Sequence, residues 1–112
     1  QQPAPFSGRG FTWSTNFIKP DIVAPGVDIV SCAPGGGYTA KTGTSMATPF
    51  VTGSCSILMQ WGMIGKNDPY LYGEKIKATL IRSSRRLAFT SEYPNEIVGW
   101  GRLCLTLPTS SL

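Results

Sequence analysis

The amino-acid sequence predicts an α/β fold in which short strands and a hairpin lead into two helices and a final strand. Three observations carry that reading. Val27 to Lys41 holds two short strand patterns on either side of Pro34-Gly35-Gly36-Gly37, as a hairpin does. Ser45 to about Trp61 is apolar around most of a helical circumference, as expected of a helix buried on several sides. Pro69 to Ser83 sets Tyr72, Ile76 and Leu80 one turn apart, with Glu74, Lys75, Lys77 and Arg82 facing water, which reads as an amphipathic surface helix.

The elements follow in order. Gln1 to Gly10 is extended, because Pro3 and Pro5 disfavour helix and central strand. Phe11 to Phe17 reads as a loop or small hairpin with Asn16 as a turn residue. Ile22-Val23, bounded by prolines, is a buried strand stub, and Pro25-Gly26 turns the chain after it. Strands over Val27 to Cys32 and Tyr38 to Lys41 then deliver the chain to Gly43. The main helix is expected to end at Gly62 and Gly65. The next helix is expected to start with Asp68 as N-cap and Pro69 in its first position. Gly73 inside it would cost about 1 kcal/mol relative to alanine. Leu87 to Asn95 is a loop. Ile97 to Leu105 is the final strand, where Gly99 and Gly101 signal a bulge or a close approach of backbones. Thr106 to Leu112 is a polar, frayed tail.

The chain has 112 residues, enough for one domain or a piece of one. It is 41% hydrophobic and only 14% charged, so it is neither disordered nor fibrous. A chain so poor in charge has little solvent-facing surface of its own. The net charge of +4 is scattered, apart from Arg82, Arg85 and Arg86 after the surface helix, where cations complement the helix dipole. Nucleic-acid binding needs a denser basic stripe with interleaved aromatics and is not expected.

The chain has no histidine. That excludes an intrachain Ser–His or Cys–His dyad and any histidine-ligated metal. Cys32, Cys55 and Cys104 are odd in number and widely spaced, which argues against zinc. Cys55 in the apolar helix and Cys104 in the final strand read as buried free thiols, in keeping with a reducing compartment. No acidic cluster resembles a calcium loop, so neither metal nor cofactor is expected. No apolar stretch reaches the roughly 20 residues of a membrane span. No signal peptide is visible, and Gln1-Gln2-Pro3-Ala4-Pro5 does not read as a native beginning.

Gly43-Thr44-Ser45-Met46-Ala47-Thr48-Pro49 stands where loop becomes helix. Its small residues leave room for another molecule to approach the backbone. Pro49 suits a first helical turn. Free N–H groups at such a terminus favour negative charge. Two readings follow. Thr44 or Ser45 is a helix cap worth about 1 kcal/mol, or Ser45 is a nucleophile beside a ready-made oxyanion site. Spacing alone favours the cap.

The heptapeptide resembles the nucleophile motif of the subtilisin-like serine proteases (subtilases, peptidase family S8). Phe6-Ser7-Gly8-Arg9-Gly10 resembles the family's segment upstream of that motif. Lys19-Pro20-Asp21-Ile22-Val23-Ala24-Pro25-Gly26 resembles its preceding strand and turn, and Val98-Gly99-Trp100-Gly101-Arg102-Leu103 its closing glycine-rich segment. Four motifs in the family's order cover nearly the whole chain. Asn67 to Lys75, Arg85-Arg86-Leu87 and Cys104 further resemble the clostridial branch, which includes spore-germination proteases.

The resemblance implies the C-terminal portion of a subtilisin-like fold, with residues 1–112 as the C-terminal fragment of a single peptidase domain. It implies Ser45 as the catalytic nucleophile, with its own N–H as an oxyanion donor and the Thr44 hydroxyl assisting. Met46 would line the site beside the serine, open to oxidation, and Gly43 would let substrate lie against the backbone. Phe50 stands where the family usually has histidine. That histidine is not the catalytic base, and an aromatic fills the same volume, so the change does not imply inactivity.

In subtilisin, a member of this family, the catalytic order is Asp, His, Ser. The catalytic aspartate, histidine and oxyanion asparagine therefore precede this segment and are absent rather than substituted. Asp21 and Asp28 lie outside the aspartate motif, and Asp21 is expected to end a strand or hold a turn. The resemblance implies a peptide or protein substrate, the upstream part of the domain as partner, and an isolated chain without activity. The alternative is a non-catalytic pseudoprotease or binding module. The apolar helix, short of cover in this chain, also fits a homo-oligomer of the fragment. The family is often secreted, whereas the cysteines favour an intracellular or spore-associated setting in a Gram-positive bacterium.

Overall fold

A computed structural model describes residues 2–107; residues 108–112 of the expected tail lie outside them. Two antiparallel pairs precede the helices. β1 (Gly10–Phe11) pairs with β2 (Ile18–Lys19), which makes the Phe11 to Phe17 stretch a small hairpin. Asn16 takes a left-handed backbone (φ 57), which asparagine tolerates. β3 (Ile29–Cys32) pairs with β4 (Tyr38–Lys41), with Ile29 opposite Lys41 and Cys32 opposite Tyr38. The strand begins at Ile29 rather than Val27 because Asp28 is left-handed (φ 53). The Asp28 N–H instead donates to Thr42 Oγ1 at 2.9 Å, which ties the hairpin's two ends together.

Helix α1 covers Thr44–Met59 and continues into a π-helical turn, Gln60–Ile64. Gly62 does not end the helix as expected. It lies buried inside the π turn, where a Cβ would come within 2.8 Å of the Asp68 carbonyl and of Leu71 Cβ. Gly65 closes the turn, its N–H donating to the Gln60 carbonyl at 2.9 Å.

Helix α2 covers Glu74–Ser83, so it starts later than Pro69. Asp68 and Pro69 form a local turn instead, with Asp68 Oδ1 accepting from the Tyr70 N–H at 3.1 Å. That turn drives Leu71 into the core at 2% exposure. Gly73 stands at the N-cap with φ 56, outside the helix interior. The start signal was satisfied by a turn because an Asx residue before proline serves both structures.

The expected final strand is reduced to single bridges. Arg102 pairs in parallel with Val23 and antiparallel with Arg85. The Val23 N–H donates to the Gly101 carbonyl (2.9 Å), and the Leu103 N–H donates to the Val23 carbonyl (2.7 Å). Arg85 and Arg102 exchange two backbone bonds of 2.9 Å. Gly99 (φ 58) and Gly101 (φ 125) bend the segment too sharply for a continuous ladder. A Cβ on Gly99 would overlap the carbonyl oxygens of Pro20 and Asp21, so the expected close approach of backbones is present.

The core is Leu58, Leu71, Ile76 and Leu80, flanked by Ile22, Val51, Cys55, Trp61, Leu103 and Leu105. It seals one side of α1 only. The expectation of a helix buried on several sides is not met within this chain: Ser54 and Leu58 are its buried residues, while Phe50 and Ile57 are 42% and 49% exposed. The cysteines also differ from expectation. All three are free, but Cys55 and Cys104, expected to be buried, are each half-buried, and Cys104 lies in the bridged segment rather than in a strand; Cys32 is exposed. Burial pushes the Cys55 thiol up from its ordinary value.

Asp21 holds more than a turn. Its carboxylate pairs with Lys19 at 2.8 Å and with Lys77 of α2 at 3.4 Å, joining the first half of the chain to the second helix. Partial burial works against its ionisation. The hydrogen bond and charge of Lys19, with Lys77 behind them, outweigh that and hold the carboxyl below its ordinary 3.8. The stability this adds is fully present above the ordinary value and is lost as pH falls through the lower folded value.

Two outcomes follow for unfolding. Leu58→Ala should destabilise the chain by about 2–5 kcal/mol in urea, whereas Ile57→Ala should change the isolated chain by about 1 kcal/mol or less. Asp21→Asn should lower the melting temperature at neutral pH and flatten its fall below about pH 4, since the titrating pair is gone.

Candidate functional site

The expected site residues sit together at the start of α1. Gly43 is the N-cap, with φ 155 and ψ 166, a backbone region that glycine occupies without strain. Thr44 and Ser45 open the helix and both are exposed, while Met46 and Ala47 are half-buried behind them. No side-chain hydrogen bond caps the helix, and its first turn carries no acidic residue. The N-terminal end of the dipole is thus left uncompensated by the chain itself. The reading of Thr44 or Ser45 as a cap is corrected: the cap position belongs to glycine.

Ser45, like Thr44 beside it, differs from the later hydroxyls of α1. Thr48, Thr52, Ser54 and Ser56 each donate to the carbonyl one turn before, at 3.0, 3.2, 2.7 and 3.2 Å. Such back-bonding is open to any Ser or Thr inside a helix. Ser45, in the second position, has no helical carbonyl one turn behind it. Its hydroxyl takes part in none of the side-chain bonds among the described residues.

Pro49 falls inside the helix, in its second turn rather than its first. It has no N–H to give to the carbonyl four residues back, and that carbonyl belongs to Ser45. Proline therefore loosens the helix ladder at the carbonyl of Ser45, one of the two residues at the helix start whose hydroxyls are free. Sequence spacing placed Pro49 near a helix start but did not connect it to Ser45.

Gly26 is the positioning residue that the sequence reading missed. Its carbonyl accepts from the Gly43 N–H at 2.8 Å, which pins the turn before Ser45 to the Pro25-Gly26 turn. A Cβ on Gly26 would lie 2.9 Å from the Gly43 carbonyl oxygen and 3.4 Å from Ala47 Cβ. Pro25-Gly26 was readable as a turn, but its contact with Gly43 is tertiary. A cleft of about 320 Å³ opens beside this contact, with Phe6, Ala24, Gly26, Gly43, Thr44 and Leu87 among its walls. Ser45 is not among its lining residues. Among the described residues, no group of acidic, cysteine or histidine side chains could hold a metal ion. No described helix is long and apolar enough to cross a membrane.

Short antiparallel strand pairs followed by two helices match a fragment of the subtilisin-like fold. Residues 1–101 match the Subtilase family of peptidases (S8), and the chain belongs to that family. It is 38% identical over 109 residues to the minor extracellular protease Vpr of Bacillus subtilis (strain 168), covering 90% of this chain and 13% of that protein. It is 44% identical over 79 residues to an intracellular serine protease of Paenibacillus polymyxa, covering 67% of this chain and 24% of the relative. Among solved structures it resembles the CspB protease of Clostridium perfringens, with a TM-score of 0.85 and 48% identity over 92% of this chain and 22% of that one. The chain thus spans less than a quarter of each of these relatives.

Gly26→Ala should shift the Gly43 amide resonance and speed its hydrogen exchange, because the added methyl pushes on the Gly43 carbonyl. A cost of about 1–3 kcal/mol in unfolding free energy should accompany it. An unchanged Gly43 amide would show that the two turns are not held together.

Proposed function

We propose that residues 1–112 form the C-terminal fragment of a single subtilisin-like peptidase domain and that Ser45 is its nucleophile. The observation that carries this reading is the free, exposed Ser45 hydroxyl at an uncapped helix end, on a helix whose hydroxyls from Thr48 onward are all bonded back. Family membership supports it, since the match to the Subtilase family runs over residues 1–101 and includes Ser45.

The chemistry follows from the residues. Ser45 Oγ attacks the scissile carbonyl of a peptide substrate and forms an acyl-enzyme, which water then hydrolyses. The Ser45 N–H, at the positive end of α1, meets the developing oxyanion. The Thr44 hydroxyl lies beside it, and Gly43 gives the substrate backbone room to approach. Met46 packs behind the serine, its sulfur 3.7 Å from where a Gly43 Cβ would be. The proton lost by Ser45 needs a base, and this chain has no histidine. Asp21 cannot serve, because its carboxylate is committed to Lys19 and Lys77. The base, its orienting carboxylate and the second oxyanion donor come from the upstream part of the domain. That part also packs on the exposed side of α1, at Phe50 and Ile57.

Loss of the serine or the histidine costs subtilisin, a member of this family, about 10⁶-fold in kcat. The isolated chain should therefore show no protease activity. A fluorophosphonate probe should label the intact parent at Ser45 and not its Ser45→Ala variant. Labelling of the isolated chain at the rate of the intact enzyme would sink the division of the site. Labelling of the parent at another serine would sink the assignment of Ser45.

A further inference from the structure

Away from Ser45, the exit of α2 builds a second cleft of about 280 Å³, lined by Ile81, Arg82, Ser84, Arg86, Tyr93 and Trp100. Its frame is tightly bonded. Ser84 Oγ lies 2.7 Å from the Ile81 carbonyl and 2.9 Å from the Trp100 carbonyl, and its one hydrogen is shared between them. The Tyr93 hydroxyl accepts from the Leu87 N–H at 2.6 Å and donates to the Leu87 carbonyl at 3.1 Å. Those polar groups are satisfied within the chain. The guanidinium carbon of Arg86 lies 5.3 Å from the centroid of the Tyr93 ring, within cation–π reach. Among the described residues neither Arg82 nor Arg86 forms an ion pair, although Asp21 and Asp68 both do. Trp100 is 42% exposed at the same cleft.

We propose that this cleft binds an acidic peptide segment, one that presents a carboxylate beside an apolar side chain. The cleft offers two unpaired guanidiniums, one of them held over the Tyr93 ring, and planar guanidinium matches a carboxylate in two parallel bonds. Ile81 and Trp100 give the neighbouring apolar side chain a surface. Phosphate is the poorer fit. The cleft lies at the C-terminal end of α2, where the helix presents carbonyl oxygens rather than N–H groups, and a second negative charge is disfavoured there. Nucleic acid is the poorer fit as well, because the cluster does not continue into a basic stripe. The assignment is independent of the role given to Ser45.

The test uses the intact protein that carries this chain, in a Ser45→Ala background so that no probe is hydrolysed. A fluorescein-labelled peptide of sequence Phe-Glu-Glu-Phe-Gly is titrated by anisotropy against its Phe-Gln-Gln-Phe-Gly counterpart. The acidic peptide should bind at least tenfold tighter than the neutral one, and its affinity should fall as salt rises. Arg82→Gln with Arg86→Gln should remove that preference, while Arg85→Gln, an exposed arginine outside the cleft, should keep it. Trp100→Leu should weaken both peptides alike. Equal affinity for the two peptides overturns the proposal, as does a preference that survives the double arginine variant. So does inorganic phosphate displacing the acidic peptide at a concentration below the peptide's own Kd.

Discussion

Everything in this chain hangs on one close passage of backbone. The segment from Gly99 to Leu103 runs between the backbone of Pro20 to Val23 and that of Arg85. Its hydrogen bonds tie the motif before the site, the exit of α2 and the closing glycine-rich segment at one place. Such a passage requires residues without a Cβ, and Gly99 and Gly101 meet that need. From Val23 the constraint passes to Gly26, and from Gly26 through one hydrogen bond to Gly43. The turn that presents Ser45 is therefore held from the far end of the chain, and the helix it opens is held by the core of Leu58, Leu71, Ile76 and Leu80.

The two ends of α1 have different jobs. At its C-terminal end the helix is anchored, by Leu58 and by a π turn whose Gly62 packs on Leu71. At its N-terminal end it is left open, without cap, acid or back-bonded hydroxyl at Ser45. Between them, Pro49 breaks the ladder at the Ser45 carbonyl. Rigid support at one end and unmet polar groups at the other suit the role proposed for Ser45, which needs a side chain held still without its surroundings being neutralised. The exposed flank with Phe50 and Ile57 is apolar surface that this chain does not cover, in keeping with its span of under a quarter of its relatives.

Where the sequence is read correctly, the signal is local. The β3–β4 hairpin is written in alternation around three glycines, and the tight approach at Gly99 and Gly101 in glycines that no strand needs. Where the reading slips, two structures share one signal or tertiary contact decides. Asp68-Pro69 fits a helix start and a turn equally well, and burial of Leu71 selects the turn. Gly62 looks like a helix stop but is required by packing inside the helix. Spacing could not exclude Thr44 or Ser45 as a cap, because what excludes it is a missing side-chain bond. The contact that pins Gly43 to Gly26 is tertiary, and no local pattern encodes it.

The passage at Gly99 to Leu103 has a consequence for biosynthesis. A nascent chain leaves the ribosome N-terminus first, so Val23 and Gly26 emerge long before Arg102. The turn before Ser45 gains its footing only when the bridging segment has followed it out and the intervening helices have packed. Contacts this far apart in sequence form late and slowly. The geometry around Ser45 is consequently among the final things the chain completes, and a translation product that stops short of Gly99 leaves that serine on an unanchored helix.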